Sequence, residues 1–503
     1  MPSTTKSISG VSAKTFAYEN FQGLDTSRDI TSLDTGKNQH LAKCLNATID
    51  WRGQIVRDAS CKFRKGQFKI NHVRFFGKDE LCWVEETGAG LNFRSERDHV
   101  LENVHPTAAI VTSTVFNQSV QFAARSRAMY RYDGINFTRN LSPSINEMMP
   151  SYITSVQRRL AVAGIPGRET QVHLSRVDQD EIFPDDEDET STNVLRAGFV
   201  DVANLLGTAD QITGLGTFEQ NRLVVFTSDR AIIYRIDPDI DRWTVDDNAN
   251  INIGCVSHNT IVNAGTDLIF CSRSGIHSIK RSEENGILVF SYSLSDKIDI
   301  LFRELFKSVE NKETISAVFD QDTAQYHVFF PQPGGELCKR LTLAMNPEAG
   351  EPQPKFSTGN FLNARCGAFL GGTLILGTTG GIYEVLEIEE EIDDAFTPEM
   401  EVITPLLWHG TLEDIKETRS VIIQAAGKGT IEMDATDEDG RVLGSLLFEV
   451  NDTSDDNYME DVPLSKQYER SWSHRYRAAQ YRLKAKGGGG LLRIIGFAVT
   501  IRS

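Results

Sequence analysis

The feature that most constrains this chain is a strand–turn–strand pattern that recurs along most of its length. The clearest two copies lie at 116–130 and 218–234, where an apolar strand follows a small polar turn and a last strand ends in Tyr. Weaker copies lie at 76–84, 157–163, 264–277, 319–330 and 369–383. Their irregular spacing of roughly 40 to 60 residues is typical of propeller blades with loop insertions.

A four-stranded unit of this kind has two apolar faces and cannot bury them alone. Radial repetition buries each face against a neighbouring unit and leaves only short, protected edges. The pattern therefore predicts an all-β chain whose main body is a β-propeller with six or seven blades. A single β-sandwich also uses many short strands, but seven self-similar units are hard to place in one sandwich.

One segment breaks the strand pattern with helical spacing. Its apolar residues follow an i, i+3, i+4, i+7, i+8, i+11 series, which predicts an amphipathic helix over 295–311. The residues in the series are Ile298, Leu301, Phe302, Leu305, Phe306 and Val309. We expect this helix to pack on the rim or on an adjoining subunit, and we expect a second helical piece over 193–206.

Composition shifts along the chain predict four parts. Residues 1–20 are rich in Ser and Thr and predict a flexible N-terminal arm, followed by the propeller over 21–385. The run from Glu384 to Asp394 is strongly acidic and predicts a solvated linker over 386–400. Residues 401–503 carry strands of their own and predict a β-domain of sandwich type.

The net charge of the chain limits the kinds of partner that it can bind. The chain has 52 basic and 70 acidic side chains, for a net charge of −18. Proteins that grip DNA do so through Lys and Arg, so a general DNA-binding role is excluded. An acidic surface can let a duplex slide past by repulsion within a Debye length of about 10 Å, although composition alone favours simple solubility.

The seven cysteines are scattered and include no CxxC pair. A disulfide framework would show an even, closely spaced set, and a zinc site would need clustered ligands. We therefore expect buried free thiols and no metal or cofactor. The N-terminus has no apolar signal segment and the chain no membrane-length apolar run, which predicts folding in a cytoplasm.

No catalytic signature is present, including HExxH, GxSxG and the P-loop. Acidic clusters lie at 178–189, in the linker and at 452–461. They could bind cations or line a channel that faces DNA, although solvated loops are the stronger interpretation. The candidates for channel-facing acids are Asp185, Asp186, Glu187, Asp188, Asp455 and Asp456.

A basic stretch at 470–486 interleaves Arg and Lys with aromatic residues, as some nucleic-acid surfaces do. Tyr481, Leu483 and Ala485 alternate there with basic residues, which also suits an ordinary strand with one buried face. A third possibility is a basic rim that docks on an acidic neighbour. The candidates for docking residues are Arg475, Arg477, Arg482 and Lys484.

Several runs resemble the nozzle proteins of short-tailed bacteriophages, also called tail tubular protein B or packaged-DNA stabilisation (hub) proteins. The N-terminal match lies in FQGLDTSRD at 21–29, NATIDWRG at 46–53 and Arg57. Further matches are RLAVAG at 159–164 with VHLS at 172–175, and the run at 210–226. Others lie at 254–257, 267–270, 274–276, 317–321 and 325–331, so the resemblance covers most of 21–383 and is looser in the C-terminal domain.

The resemblance implies a non-enzymatic virion protein, assembled in the host cytoplasm, that forms a homo-hexameric ring below the portal and adaptor rings of the tail. Such a ring conducts double-stranded DNA at ejection without sequence-specific binding, carries tail fibres or spikes, and does not insert into a membrane. A closed ring satisfies a repeated self-contact without open filaments. Two alternatives remain, a non-viral propeller scaffold and a propeller glycosidase or lyase, which would need paired carboxylates at the propeller axis.

Overall fold

The computed structural model of the protein describes most of the chain. The described residues are 6–8, 11–28, 39–50, 52–66, 68–105, 110–186, 193–205, 210–245, 252–265, 267–281, 288–290, 293–335, 337–345, 354–386, 396–410, 414–451, 465–486 and 492–502. No helix in these ranges is long and apolar enough to cross a bilayer.

The chain begins with eight short strands that precede the repeats. They are β1 (Lys6–Ile8), β2 (Val11–Glu19), β3 (Phe21–Leu24), β4 (Gln39–Leu41), β5 (Lys43–Leu45), β6 (Ala47–Ile49), β7 (Ile55–Arg57) and β8 (Ser60–Lys65).

The repeats then form seven successive antiparallel units, which we number as blades. Blade 1 is β9 (Lys69–Phe76), β10 (Glu80–Thr87), β11 (Gly90–Ser95) and β12 (Val100–His105); blade 2 is β13 (Val111–Phe116), β14 (Ser119–Ala124), β15 (Tyr130–Tyr132) and β16 (Phe137–Arg139); blade 3 is β17 (Tyr152–Val156), β18 (Arg159–Ala163), β19 (Gln171–Leu174) and β20 (Gly198–Asp201); blade 4 is β21 (Ile212–Phe218), β22 (Arg222–Thr227), β23 (Ala231–Arg235) and β24 (Thr244–Val245). Blade 5 is β25 (Val262–Ala264), β26 (Asp267–Cys271), β27 (Ile276–Arg281) and β28 (Leu288–Phe290); blade 6 is β29 (Ser316–Asp320), β30 (Gln325–Phe330), β31 (Cys338–Ala344) and β32 (Lys355–Phe361); blade 7 is β33 (Ala364–Leu370), β34 (Thr373–Thr378) and β35 (Ile382–Leu386), with β8 as its fourth strand.

The ring closes through a strand from far upstream. β8 pairs with β35, with Cys61 opposite Val385, so that the segment before the first blade completes the last one. Six units are separate four-stranded sheets, and blade 6 is the start of a nine-stranded sheet. The expected propeller of six or seven blades is thus confirmed.

Two α-helices interrupt the described strands. α1 (Pro143–Met148) connects blades 2 and 3, and α2 (Asp299–Ser308) connects blades 5 and 6. α2 confirms the helix predicted over 295–311, in a shorter form preceded by one 3₁₀ turn. It buries Phe302 and Leu305, and Phe302 packs edge-on against Phe330 of blade 6. The prediction of a second helix over 193–206 was wrong, because residues 193–205 form turns and strand β20.

The C-terminal part, which we call the platform, adds eight strands. They are β36 (Met400–Ile403), β37 (Lys416–Gly427), β38 (Gly429–Asp437), β39 (Val442–Val450), β40 (Lys466–Ser471), β41 (Arg475–Tyr476), β42 (Ala479–Lys486) and β43 (Leu492–Arg502). They lie in two sheets, of eight and nine strands, that share a core as in a sandwich.

The platform is not a separate C-terminal domain as predicted. Its nine-stranded sheet runs in the order β29-β30-β31-β32-β5-β36-β42-β38-β39, so one sheet contains all of blade 6. β5 lies between the two parts, pairing with β32 through Leu45 and Thr358 and with β36 over three residues. The predicted boundary at 21 was therefore wrong, because β5, β6 and β7 lie in the two platform sheets and the propeller begins at β8.

The second half of the N-terminal arm, which was predicted to be flexible, forms a paired strand. β2 pairs with β43 over seven residues, from Ala13 opposite Arg502 to Glu19 opposite Gly496. Tyr18 stacks on Phe497 with ring centroids 5.0 Å apart. The apolar pattern of this strand was hidden by its Ser- and Thr-rich surroundings.

Of the predicted linker over 386–400, residues 387–395 lie outside the described part of the chain, and Met400 already belongs to β36.

One hydrophobic core joins the two parts. It contains Ile269 of blade 5, Phe302 of α2, Val328 of blade 6 and Phe497 of the platform. The seven cysteines are all free and buried, as predicted. Burial raises the pKa of Cys366 to about 12 and that of Cys255 to about 11, which keeps both as neutral thiols.

Candidate functional site

The first strand of each blade surrounds the propeller axis. Each of these inner strands contacts the next around the ring, and β33 contacts β9 to close it. The space that they enclose is the axial lumen, where ligands of propellers can bind. The inner strands carry a single carboxylate, Asp320, which accepts hydrogen bonds at 2.9 and 3.1 Å from backbone N–H groups of its own turn.

Side-chain hydroxyl groups form hydrogen bonds between neighbouring inner strands. The bonds are His72 Nε2 to Ser113 Oγ at 2.7 Å, Thr112 Oγ1 to Ser151 O at 3.0 Å, Thr154 Oγ1 to Thr217 Oγ1 at 3.1 Å, and Ser316 Oγ to Arg365 O at 2.7 Å.

A 3₁₀ turn, His258–Thr260, lies across one mouth of the lumen. Although it precedes blade 5, its Asn259 Nδ2 donates to the carbonyl of Val111 in blade 2 at 3.4 Å. The His258 ring stacks on Tyr152 of blade 3 with centroids 5.5 Å apart. Gly214 makes room for this turn, because a Cβ there would lie 3.3 Å from His258 Cα.

A second contact crosses the same mouth. Arg125, in a turn of blade 2, forms an ion pair with Glu313, which precedes blade 6. Ser257 Oγ donates to the Glu313 carbonyl at 2.9 Å and joins this pair to the 3₁₀ turn. The propeller axis itself is therefore not an open conduit at this end.

Three basic side chains lie near one another in the lumen, two from β9 and one from the turn. Arg74 and His72 lie two residues apart on β9, and His258 reaches them from the turn. Burial, helped by the charge of Arg74, lowers the pKa of His72 to about 3 and that of His258 to about 4. Both imidazoles are therefore neutral near pH 7. Burial also lowers the pKa of Arg74, whose guanidinium remains charged at this pH.

The acidic candidates that the structure describes have local partners. Asp186 Oδ2 accepts a hydrogen bond from Ser142 Oγ at 2.5 Å, and its Oδ1 accepts one from Ser144 N at 3.0 Å, at the start of α1. Asp185 pairs with Arg168 at 2.9 Å. Both border a groove of about 400 Å³ beside α1. Glu187, Asp188, Asp455 and Asp456 lie outside the described residues, and a channel-facing role for these acids stays a prediction.

The basic candidates belong to the platform. In β42, Tyr481, Leu483 and Ala485 are buried, which confirms the alternating strand. Arg482 forms an ion pair with Glu401 of β36, and Lys484 pairs with Asp434 of β38 at 3.2 Å. Two of the four positive charges are thus balanced within their own sheet.

Arg475 and Arg477 are exposed. Arg475 lies 4.0 Å from Glu417, a weak contact for an exposed pair. The backbone N–H of Arg477 donates to Glu438 at 3.4 Å, an interaction that does not involve its guanidinium. The docking prediction remains open for these two residues.

No sequence pattern marked His72, Arg74 or His258 as functional residues. The available signal was the His72-x-Arg74 spacing, which places both side chains on one face of a strand. What lies opposite that face depends on closure of the ring and could not be read from spacing. Among the described residues, no three His, Cys, Asp or Glu side chains are grouped to hold a metal ion.

No protein-family model matches the sequence, and a search of curated proteins gave no match. Similar solved structures include virginiamycin B lyase from Staphylococcus aureus, at 10% identity and a TM-score of 0.39, covering 64% of this chain and 98% of that one. YCF48 from Cyanidioschyzon merolae is 12% identical with a TM-score of 0.36, covering 65% and 98%. At such identities the similarity concerns the fold alone.

Proposed function

We propose that this chain is a structural subunit of the tail nozzle of a short-tailed bacteriophage. Six copies would form a ring below the portal and adaptor rings, conduct DNA at ejection and carry tail fibres or spikes. The observation that carries the proposal, beside the sequence resemblance, is the continuous sheet from blade 6 through β5 into the platform. A chain whose propeller and platform share one sheet is rigid, and rigidity suits a permanent subunit of a ring.

The junction supports this proposal because it is held by several kinds of contact. Thr358 Oγ1 of blade 6 donates to the Cys44 carbonyl at 2.8 Å, and Asn46 Oδ1 accepts from Asn360 N at 2.7 Å. Lys43 of β5 pairs with Glu401 of β36 at 2.5 Å. Hinge motion between propeller and platform would have to break these bonds and open the shared core.

Charge supports a conduit role. A net charge of −18 would repel a duplex and let it slide without sticking. The conduit would be the lumen of the ring of subunits, since the axis of each propeller is crossed at one end by His258–Thr260. On this proposal the protein is assembled in the host cytoplasm and resides in the virion tail, without a cofactor and without membrane insertion.

A non-catalytic role agrees with the inner strands. A propeller glycosidase would need two carboxylates about 5 to 10 Å apart at the axis, and the inner strands supply only Asp320 at a strand end. One observation favours the second candidate, a non-viral propeller scaffold that binds a ligand. It is the basic group of His72, Arg74 and His258 in the lumen.

Native mass spectrometry over a range of protein concentrations separates the two candidates. The nozzle proposal predicts a complex of six copies of the 56.1 kDa chain. A chain that stays monomeric at every concentration would favour the scaffold. The variant Arg475→Glu with Arg477→Glu should weaken the complex if these exposed residues dock on an acidic neighbour, while Arg303→Glu on the exposed face of α2 serves as a control of equal charge change per site.

A further inference from the structure

Arg74 has no partner of opposite charge in the described part of the chain. Its guanidinium makes no hydrogen bond or ion pair with any described residue, although it is enclosed by the inner strands. By contrast, Lys69 on the same strand pairs with Glu86 at 2.6 Å. Enclosed charges in proteins are normally paired, because an uncompensated one loses much of its hydration.

The groups around Arg74 are hydrogen-bonding groups without negative charge. His72 Nδ1 is buried and has no hydrogen-bond partner among the described residues. His258 Nδ1 accepts the N–H of Leu215 at 3.1 Å. The neutral ring of His258 therefore carries its proton on Nε2, which is left as a donor.

The three side chains share one place in the fold. His72 contacts Ser113 of blade 2, and His258 belongs to the 3₁₀ turn, where its ring contacts Tyr152 of blade 3 and Leu215 of blade 4. His72, Arg74 and His258 each keep part of their surface accessible, although His72 Nδ1 itself is buried. A guanidinium with two neighbouring neutral imidazoles is suited to a small negatively charged ligand.

We propose that the axial lumen binds a small oxyanion, held by the guanidinium of Arg74 together with the imidazoles of His72 and His258. The ligand class is a phosphate, a sulfate or a carboxylate group, all of which match the planar, multiple donors of arginine. The proposal does not depend on the nozzle function, because the three residues lie within a single propeller.

The direct test is calorimetric titration of the full-length protein with inorganic phosphate at constant ionic strength, with sodium acetate as a second probe. We expect saturable binding of one anion per chain. Arg74→Gln should weaken it about tenfold or more, since charge-assisted hydrogen bonds are lost. Tighter phosphate binding would indicate a tetrahedral ligand and tighter acetate binding a carboxylate.

A matched variant is Arg127→Gln, which removes a half-buried guanidinium from a turn of blade 2. It should bind phosphate as the unchanged protein does. Equal affinity of the Arg74→Gln variant and the unchanged protein would overturn the proposal, as would the absence of saturable binding to both probes.

Thermal unfolding gives a second, independent readout. Without anions, Arg74→Met should unfold at a temperature equal to or above that of the unchanged protein, because an uncompensated charge has been removed. Added phosphate should raise the unfolding temperature of the unchanged protein only. If phosphate raised the unfolding temperature of the Arg74→Met variant as much as that of the unchanged protein, the assignment would be contradicted.

Discussion

Arg340 and Asp58 form an ion pair that is almost completely removed from solvent, with side-chain exposures of 6% and 2%. The pair joins β31 of blade 6 to the short connection between β7 of the platform and β8 of blade 7. The Arg340 guanidinium also lies over the ring of Phe361, 4.9 Å from its centroid. Gly359 leaves room beside it, because a Cβ there would lie 3.0 Å from the guanidinium. The pair thus fixes the point where the chain passes from platform to propeller.

Removing one partner should therefore destabilise the fold strongly. Arg340→Gln leaves the Asp58 carboxylate buried without compensation, a loss of about 3–5 kcal/mol in the free energy of unfolding. The matched variant Arg303→Gln breaks an exposed helical pair with Asp299 and should cost about 0.5 kcal/mol or less. Urea unfolding followed by fluorescence compares them, and similar midpoints for both variants would contradict a structural role for the buried pair.

The N-terminal strand gives a second prediction. Deleting residues 1–19 removes β2, exposes the edge of β43 and uncovers Phe497, at a cost of about 3 kcal/mol or more in stability. Deleting only residues 1–10 keeps β2 and should have little effect. Thermal unfolding of the two truncated proteins measures the difference. If both unfolded at the temperature of the full chain, the pairing of β2 with β43 would not contribute to the fold.

Acid should destabilise the protein through buried histidines. Burial lowers the pKa of His173 and His277 to about 4 and that of His409 to about 3. In the unfolded chain these imidazoles take up protons near pH 6.5, whereas in the folded protein they stay neutral. The unfolded state thus binds more protons between pH 6.5 and about 4, and stability falls as pH falls through that window.

Unfolding temperatures measured from pH 8.5 to pH 4.5 test this expectation. We expect a nearly flat response above pH 7.5, which serves as the internal control, and a steep decline below pH 6.5. A constant unfolding temperature down to pH 5 would mean that these imidazoles are not buried in neutral form.

The seven thiols should be unreactive in the folded protein. All are buried, and burial raises the pKa of each, so that thiolates are scarce at pH 8. With an aromatic disulfide reagent we expect fewer than one thiol per chain to react within minutes, and all seven after unfolding in guanidinium chloride. Rapid labelling of two or more thiols in native buffer would contradict the packing of the blades.

Much of the propeller could be predicted from sequence because each blade is a local unit. The runs at 116–130 and 218–234 fall on β13–β15 and β21–β23, and the helix stripe from Ile298 to Val309 falls on α2. In these segments apolar spacing and turn residues act within a few positions of one another, so the pattern is visible in a short window.

The platform could not be predicted in the same way, because it is built from segments far apart in the chain. β5 has three residues, too few to show a period, and its two neighbours lie more than 300 residues downstream. β8 joins blade 7 only when the ring closes. The group of His72, Arg74 and His258 in the lumen could not be predicted for the same reason. Closure of the ring, and not a local motif, brings His258 near His72.

Negative-stain electron microscopy of the purified protein at high concentration tests most directly the proposal that this protein forms the ring of a tail nozzle. We expect class averages with six-fold symmetry and a central opening wide enough for duplex DNA. Isolated propeller particles with no ring at any concentration would contradict the proposal and favour a monomeric propeller scaffold.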